Sequence, residues 1–276
     1  MTVPDRLRGK GGNDMELTLG LAQVAHAHDG DALALVERTV DEACARGVEL
    51  LVFPECLMTP YEKTPEEYAA SAQPLDGSFS SGVAAIAAEA GLWVAYTANE
   101  RDEAGGKPFN TAVIVDASGQ RVLAYRKVHL FDVGDYRESS KMQAGCALPA
   151  PVQTPWGSIG IGICYDLRFC EYARALALAG CELALYPAAW VAGPGKVEQW
   201  RTLLAARAIE NGMFVAGLSR TGGVYSGNSA IFAPDGRQLA AAGDDEELLV
   251  ATLDFAEVAA MRAAVPVLQH RRPDLY

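Results

Sequence analysis

Segments with strand-like and helix-like hydrophobic patterns alternate in each half of this 276-residue chain, and a hairpin pattern follows in each half. The run at 48–53 is continuously apolar, as is typical of a strand that is buried on both faces. The helical stripes on either side of it end at Gly47 and Gly91. A strand buried on both faces requires a covering layer on each side. The pattern therefore predicts an α/β protein, a four-layer αββα sandwich with two mixed β-sheets and helices on the outer faces.

Periodicity and turn signals predict the positions of the other elements. Strands are predicted at 16–24, 92–98, 109–116, 120–126, 182–186, 213–218, 229–233, 237–241 and 248–253, with one more leading into Cys164. Helices are predicted after a capping box at Thr64 and at 79–90, 170–180 and 196–211. In the last of these helices, Leu203, Ala206 and Ile209 are expected to face inward.

Composition changes only near the two ends of the chain. Residues 1–14 are polar and contain glycines, which predicts a flexible leader. No linker-like stretch divides the remainder, so 15–276 is predicted to form a single domain. The last ~20 residues carry Pro266 and Pro273 and are predicted to form an extended tail.

Charge and cysteine usage limit the class of partner and the compartment. The formal net charge is −12, with no basic patch to offset phosphate repulsion, which argues against nucleic acid as a partner. No apolar run reaches the ~18 residues of a membrane span, and the N-terminus lacks the apolar core of a signal peptide. The six cysteines are therefore expected to be reduced thiols, and the protein is expected to be cytoplasmic.

Cys164 lies where a predicted strand turns into a predicted helix, within the stretch from Gly160 to Phe169. This is the position of a nucleophile elbow, which exposes one reactive side chain at the carboxyl end of a strand. Gly160 and Gly162 remove side chains beside the thiol, so we expect a substrate to approach the backbone there. The alternative is that Cys164 packs in the core as a small hydrophobic residue.

A thiol nucleophile needs a base and a group that stabilises the oxyanion. None of the four histidines occurs in a setting that indicates a Cys–His pair. The cysteines show no C-x-x-C spacing, and the chain has no P-loop and no convincing dinucleotide glycine pattern. No metal and no cofactor is therefore predicted, and carboxylates are the better candidates for the base.

Two acidic residues and a lysine are better placed than the histidines. Glu55 directly follows a buried strand, at the carboxyl end where α/β proteins usually build their sites. Lys127 follows another strand amid apolar residues, and Glu138 lies in a long predicted loop at 128–148. The ordinary alternatives are that Glu55 is a solvated loop end and that Lys127 is a surface lysine with a buried stem.

Three segments that carry these residues resemble the signatures of one enzyme family. They are Phe53-Pro54-Glu55, Tyr125-Arg126-Lys127-Val128-His129 and Gly162-Ile163-Cys164-Tyr165-Asp166. In this order they resemble the nitrilase superfamily of carbon–nitrogen hydrolases, and the similarity covers nearly all of the chain from about residue 16 to residue 255. The run Cys-Tyr-Asp-Leu-Arg-Phe is similar to the amidase branches, especially the omega-amidases. True nitrilases and carbamoyl hydrolases usually differ after the cysteine.

The resemblance implies a cofactor-free amidase in which Cys164 attacks the carbonyl of a small-molecule amide. Glu55 would take the thiol proton and pass it to the departing ammonia. Lys127 would help to ionise the thiol and, with the backbone N–H of Tyr165, would hold the oxyanion. Glu138 matches a second glutamate that many members carry, thought to orient the lysine and the substrate. A catalytically idle member used for interaction is the rival from a different class.

The substrate expected from the sequence is a short neutral aliphatic amide such as propionamide. Tyr61 and Trp190 are predicted to wall a small and largely apolar acyl pocket, although both could equally be core aromatics. The alternative is an omega-amide with a carboxylate at its far end, which needs a cation in the pocket. Candidates for that cation are Arg168, Lys196 and Arg201. Arg168 could instead pair with Asp166 or Glu171 and serve structure. An N-carbamoyl amidohydrolase or a nitrilase is a more distant alternative.

The resemblance also implies assembly of several subunits. Members of the family usually form homodimers or larger assemblies by back-to-back packing of sandwiches. The tail from about Val265 to Tyr276 looks too extended to bury its apolar residues alone. We therefore expect a homodimer or higher homo-oligomer in which the tail lies across a neighbouring subunit.

Overall fold

Two sheets form the framework of the computed structural model, which describes residues 15–26 and 31–275. The first sheet has six strands, in the order β12 (Glu247–Asp254), β1 (Glu16–Gln23), β2 (Leu50–Val52), β3 (Trp93–Glu100), β4 (Phe109–Val115) and β5 (Arg121–Arg126). The second also has six, in the order β11 (Gln238–Ala241), β10 (Ala230–Phe232), β9 (Phe214–Ser219), β8 (Leu183–Ala188), β7 (Ser158–Ile161) and β6 (Val152–Gln153). Both sheets combine parallel and antiparallel pairs. The leader predicted at 1–14 lies outside the described residues.

Seven helices accompany the strands in the described part of the chain. They are α1 (Ala32–Ala45), α2 (Pro65–Ser71), α3 (Ser78–Ala90), α4 (Glu138–Lys141), α5 (Cys170–Leu178), α6 (Lys196–Asn211) and α7 (Ala256–Ala264). Thr64 and Glu67 form the predicted capping box at the start of α2, and Gly91 and Gly212 take left-handed conformations after α3 and α6. The expectation of an extended tail is wrong for α7, which is helical because Val258 is buried against the core on one helix face.

The two faces of the first sheet pack against different layers. Leu17 and Leu19 of β1 belong to an apolar cluster that also contains the second sheet. In β2, Leu50 and Val52 join that cluster, whereas Leu51 joins another cluster with α1 and α3. Helices α5 and α6 pack on the second sheet. The predicted four-layer αββα sandwich is thus confirmed, as is the burial of the 48–53 strand on both faces.

Helix α6 buries a different face from the predicted one. Its buried residues are Trp200, Leu204, Arg207, Ala208 and Asn211. By contrast, Ile209 is 49% exposed, and Leu203 and Ala206 are only partly buried. Gly217 of β9 lies in the sheet beneath the helix and has no side chain. Trp200 and Leu204 of the buried face pack into the space beside it.

Strands from the two sheets end beside one another at one edge of the sandwich. Glu55, which follows β2, is hydrogen-bonded to Lys127, which follows β5, and to Ala189, which follows β8. Strand β7 leads at the same edge into the turn that carries Cys164. The carboxyl ends of these strands therefore build one site between the sheets.

Two negative findings apply to residues 15–26 and 31–275. No helix there is long and apolar enough to cross a membrane. No three His, Cys, Asp or Glu side chains there are grouped so that they could hold a metal ion.

Candidate active site

Four side chains predicted as catalytic lie together at the edge where these strands end. Lys127 Nζ lies 2.9 Å from Glu55 Oε1 and 2.8 Å from each carboxylate oxygen of Glu138. All three side chains are buried. Cys164 lines the same cleft as these three residues. The fold therefore brings together one thiol, one ammonium and two carboxyl groups from four separate segments.

The Glu55 carboxylate is oriented by three donors. Besides Lys127, Asn110 Nδ2 donates to Oε1 at 2.8 Å, and the backbone N–H of Ala189 donates to Oε2 at 2.8 Å. Hydrogen bonds on both oxygens hold the carboxylate in one orientation relative to the thiol. The sequence analysis did not predict Asn110, because it lies within β4 and its partner is 55 positions away.

Burial and charge act in opposite directions on the lysine and on the second glutamate. Burial lowers the pKa of Lys127, but the carboxylates of Glu138 and Glu55 together raise it well above its ordinary value. Burial also raises the pKa of Glu138, and the charge of Lys127 offsets this only in part. The lysine is therefore held as an ammonium ion between two acids.

Cys164 occupies a strained backbone position. It begins a 3₁₀ turn (Cys164–Arg168) and has a φ of 47°, in the left-handed region. This conformation costs a non-glycine residue roughly 1–2 kcal/mol, so the surrounding structure must hold it. Helix α5 begins one residue after the turn, at Cys170, as predicted for a nucleophile elbow.

The thiol of Cys164 is harder to ionise than expected from the sequence. Burial raises its pKa well above the ordinary value, and the Glu55 carboxylate raises it further. Lys127 lowers this pKa, as expected, but its effect is smaller than the other two. The predicted direction of the Lys127 effect is therefore present, but it does not offset the effects of burial and of Glu55 on the thiol pKa.

The glycines before Cys164 serve packing, not access to the thiol. A Cβ on Gly162 would lie 2.7 Å from a ring carbon of Tyr172 and 2.8 Å from one of Tyr186. A Cβ on Gly160 would lie 2.9 Å from Sγ of Cys181. The expectation that these glycines let a substrate approach is wrong, because buried side chains fill the space beside them.

A cleft opens onto Cys164. Its lining includes all seven residues predicted as site residues: Glu55, Lys127, Cys164, Glu138, Tyr61, Tyr165 and Trp190. It also includes aromatic residues that were not predicted, namely Phe131, Tyr136 and Tyr225. The ring centroid of Phe131 lies 5.1 Å from that of Tyr165 and 5.7 Å from that of Tyr136. Much of the wall is therefore aromatic.

Two cations line the same cleft. The guanidinium carbon of Arg168 lies 4.8 Å from the ring centroid of Trp190, and Lys196 Nζ lies 4.6 Å from a ring centroid of the same indole. Arg168 Nη2 donates to Gln199 Oε1 at 2.9 Å. The cleft lining thus combines aromatic side chains with two positive charges.

The contacts of Arg168 and Arg201 show whether each side chain pairs with a nearby acid or reaches the cleft. Among the described residues, Arg168 forms no ion pair with Asp166 or Glu171. Arg201 donates to Asn228 Oδ1 at 2.9 Å and does not line the cleft. Of the three candidate cations, Arg168 and Lys196 therefore reach the pocket, and Arg201 does not.

Arg220 is a further buried residue of the site that the sequence analysis did not predict. Its Nε donates to the carbonyl oxygen of Glu55 at 3.1 Å, and its Nη2 donates to that of Cys56 at 3.1 Å. Cys56 has a φ of 60°, so these bonds hold a strained backbone beside Glu55. The partners of Arg220 lie 165 and 164 positions away, and no local pattern could indicate them.

Known proteins of similar sequence include two kinds of amidase. The deaminated glutathione amidase of Rattus norvegicus is 37% identical over 253 residues, which cover 86% of this chain and 76% of that protein. The omega-amidase of Xenopus tropicalis is 32% identical over 250 residues, which cover 87% of this chain and 88% of that protein.

A solved structure and a family model extend this similarity to the fold. The structure is a glutamate-to-glutamine variant of the amidase from Nesterenkonia sp., with the acetamide moiety of fluoroacetamide added covalently at its active-site cysteine. It is 26% identical, has a TM-score of 0.80, and the match covers 96% of each chain. The model of the family described as Carbon-nitrogen hydrolase matches residues 18–263. This chain belongs to the carbon-nitrogen hydrolase family.

Proposed function

We propose that this protein is an omega-amidase, which hydrolyses a short amide with a carboxylate at its far end and releases ammonia. The observation that carries this proposal is the pair of cations, Arg168 and Lys196, in the same cleft as Cys164 and Glu55. An amide at the thiol and a carboxylate at the cations would satisfy both polar regions of the cleft. The aromatic walls would hold the carbon chain between them.

The two cations favour an anionic substrate. Among the described residues neither forms a salt bridge with an acid. The pKa of Lys196 is lowered, first by burial and then by the charge of Arg168. A substrate carboxylate would offset both effects through charge-assisted hydrogen bonds. The net charge of −12 attracts no anion from a distance, so recognition would be local.

The similar proteins support amide hydrolysis at a cysteine. Two of them are named as an omega-amidase and a deaminated glutathione amidase. The covalent adduct in the Nesterenkonia amidase lies on its active-site cysteine. We assign the same role to Cys164, since it is the one cysteine in the lining of the cleft among the described residues.

In the first half-reaction, Cys164 Sγ attacks the amide carbon while Glu55 takes the thiol proton. The electron pair of the carbonyl moves to its oxygen, which the Lys127 ammonium and the backbone N–H of Tyr165 stabilise. Loss of one such donor typically costs about 3 kcal/mol in the transition state. Glu55 then protonates the leaving nitrogen, the C–N bond breaks, and ammonia departs from an acyl-thioester.

In the second half-reaction, Glu55 takes a proton from water, whose oxygen attacks the thioester carbon. The C–S bond breaks, the carboxylic acid leaves, and Cys164 recovers its proton from Glu55. Glu138 would keep Lys127 charged and in place throughout, because both of its carboxylate oxygens contact Nζ. The cycle consumes one amide and one water and returns the starting enzyme.

A short neutral aliphatic amide, the substrate expected from the sequence, is the second candidate. The aromatic lining of the cleft favours it, and the adduct in the Nesterenkonia amidase is a neutral acetamide group. That expectation, however, assumed a pocket without a cation. Arg168 and Lys196 do not fit this assumption, so we prefer the omega-amide.

Succinamate and butyramide form a matched pair that tests this preference. They have the same chain length, but succinamate ends in a carboxylate where butyramide ends in a methyl group. We expect kcat/KM, measured as ammonia release, to be about a hundredfold higher for succinamate, which corresponds to about 2.7 kcal/mol of transition-state binding. We expect 2-oxoglutaramate to react like succinamate. Equal or higher kcat/KM for butyramide would overturn the omega-amidase proposal in favour of the neutral amide.

Variants of the two cations test the same proposal from the side of the protein. We expect Arg168→Met and Lys196→Met each to reduce the preference for succinamate at least tenfold, with little change for butyramide. Arg201→Met is the matched control, because it removes a cation of α6 outside the cleft.

A screen that includes N-carbamoyl compounds and nitriles covers the other reactions. Ammonia release from none of these compounds would contradict an enzymatic role.

A further inference from the structure

A completely buried carboxylate, Asp166, follows Cys164 at the second position along the chain. Its Oδ2 accepts hydrogen bonds from the Tyr125 hydroxyl and from the backbone N–H of Ile163, both at 2.8 Å. Its Oδ1 is hydrogen-bonded to Nδ1 of His129 at 2.7 Å. Both carboxylate oxygens are thus occupied.

The partners of Asp166 come from the two segments that carry the thiol and the ammonium of the proposed mechanism. Ile163 directly precedes Cys164, while Tyr125 and His129 lie on either side of Lys127. We infer that Asp166, Tyr125 and His129 form a positioning group that holds the Cys164 turn at a fixed place relative to Lys127. This inference rests on the proposed function, in which both residues act on the same carbonyl.

Further contacts tie the Lys127 segment to the same group. The backbone N–H of Val128 donates to the Tyr125 hydroxyl at 3.1 Å, so one hydroxyl joins Asp166 to the residue after Lys127. The ring of His129 stacks on Phe169, with centroids 3.6 Å apart and planes 9° apart. The Lys127 segment is therefore joined to the Cys164 turn at Asp166 and at Phe169, the residue that follows the turn.

The backbone of Cys164 explains why such a group is needed. Its φ of 47° is unfavourable for a residue with a side chain, so the turn relaxes unless outside contacts hold it. The hydrogen bond from Ile163 to Asp166 holds the residue that enters the turn. None of Asp166, Tyr125 and His129 lines the cleft, so the group acts through Cys164 and Lys127 and not on the substrate.

Tyr125→Phe removes one hydroxyl from this group and leaves the buried ring in place. We expect kcat to fall at least tenfold with KM changed less than twofold, because the misplaced thiol and ammonium act in the transition state. Tyr96→Phe is the matched control, since Tyr96 is equally buried in the first sheet but does not line the cleft. We expect both variants to lose similar thermal stability and only Tyr125→Phe to lose kcat.

Alkylation of Cys164 by iodoacetamide, followed by mass spectrometry, provides a readout that needs no amide substrate. We expect Tyr125→Phe to change the alkylation rate at Cys164 at least threefold, while the rate at the exposed Cys170 stays unchanged. The assay therefore reports the geometry of the turn even if the protein hydrolyses none of the proposed amides. Failure of the substrate proposal and failure of this inference are thus distinguishable.

Two substitutions of His129, one polar and one apolar, distinguish loss of its hydrogen bond to Asp166 from loss of its side-chain volume. We expect His129→Asn to retain more than a third of wild-type kcat, because its amide can donate to Asp166 from near the position of Nδ1. We expect His129→Leu, which removes the polar atom, to lose at least tenfold. The inference is overturned if Tyr125→Phe keeps kcat and the Cys164 alkylation rate within twofold of wild type. It is also overturned if His129→Asn and His129→Leu behave alike.

Discussion

At the residue scale, the site buries two carboxyl groups beside one lysine. Lys127 contacts both Glu55 and Glu138, and burial raises the pKa of Glu138 despite the nearby ammonium. An additional thiolate would add a second uncompensated negative charge in the same buried space. Burial, and after it the Glu55 carboxylate, raise the pKa of Cys164. In the proposed mechanism we therefore expect proton transfer to Glu55 to accompany attack, since it keeps the net charge of the site unchanged.

The first prediction at this scale concerns the nucleophile. We expect Cys164→Ala to release no detectable ammonia and to remain folded, because the change removes one sulfur atom from a site lined by other segments. Intact-mass measurement of the wild type with substrate should show a transient acyl adduct that the variant lacks. Cys181→Ala is the control, since Cys181 is also buried but does not line the cleft. A Cys164→Ala enzyme with a tenth of wild-type turnover would refute the assignment.

A second prediction concerns the pH dependence of Cys164. Because burial and Glu55 raise its pKa above the ordinary value of 9.0, the rate of alkylation at Cys164 should still be rising at pH 9. Glu55→Gln removes a negative charge that disfavours the thiolate, so the profile should move to lower pH. Lys127→Met removes a charge that favours the thiolate, so the profile should move to higher pH.

The exposed Cys170 serves as the internal control for these profiles, and its own profile should be the same in all three proteins. Mass spectrometry of the alkylated peptides separates the two thiols. A wild-type rate at Cys164 that levels off below pH 8 would show that Lys127 dominates after all.

At the scale of elements, the turn between β7 and α5 is shaped by what packs beneath it. Strand β7 approaches the turn with glycines at 160 and 162, and core side chains occupy the space beside both. Leu176 of α5 lies 3.1 Å from the position a Cβ would take on Gly160. Small residues let the helix and the neighbouring strand approach closely, and this approach sets the position of the turn.

The prediction at this scale concerns Gly162. A Cβ there would lie 2.7 Å from the Tyr172 ring and 2.8 Å from the Tyr186 ring, and both rings are fully buried. Overpacking of this kind costs about 1–3 kcal/mol, so we expect Gly162→Ala to lower the free energy of unfolding by about 2 kcal/mol. Denaturant titration measures it, with Gly243→Ala as a control because nothing lies within 4 Å of that Cβ. Equal stability of the two variants would contradict the packing role.

At the scale of the whole molecule, both sheets contribute to one site. The first sheet supplies Glu55 and Lys127 at the ends of β2 and β5, and the second supplies Cys164 after β7. The Glu55 carboxylate also bonds across to Ala189, after β8. The candidate site therefore depends on the packing of one sheet against the other, and a change between the sheets should affect catalysis as well as stability.

The prediction at this scale is assembly, which stays a prediction. Val265 is 47% exposed and Leu275 is 66% exposed, so part of the C-terminal segment leaves apolar surface uncovered in the single chain. Leu268, in contrast, packs partly against the core. We expect light scattering at micromolar concentration to give at least twice the monomer mass of 29.3 kDa. A mass near that of the monomer would contradict a neighbouring subunit over this segment.

Particular residues show how far prediction from sequence reached. The helix at 196–211 was predicted with the bounds that the structure has, because its start, period and terminal glycine are local signals. The face that this helix buries was predicted wrongly, because Trp200 and Leu204 pack into the space beside Gly217 of a strand that is distant from them in sequence. Glu55, Lys127 and Cys164 were predicted from strand ends and motifs, whereas Asn110 and Arg220 belong to no motif and contact partners far along the chain.

By itself, the sequence determined most of the strands and the longer helices between residues 16 and 253, and which residue types stand at the strand ends. Hydrophobic period and turn residues act over a few neighbouring positions, so they can be recognised without the fold. Only the tertiary structure decided that β12, near the end of the chain, pairs with β1 near its beginning, and that Asn110 reaches Glu55. It also decided that burial and the Glu55 carboxylate raise the pKa of Cys164. The physical reason is that pairing, burial and pKa depend on which distant groups come into contact, and those contacts exist only after the chain has folded.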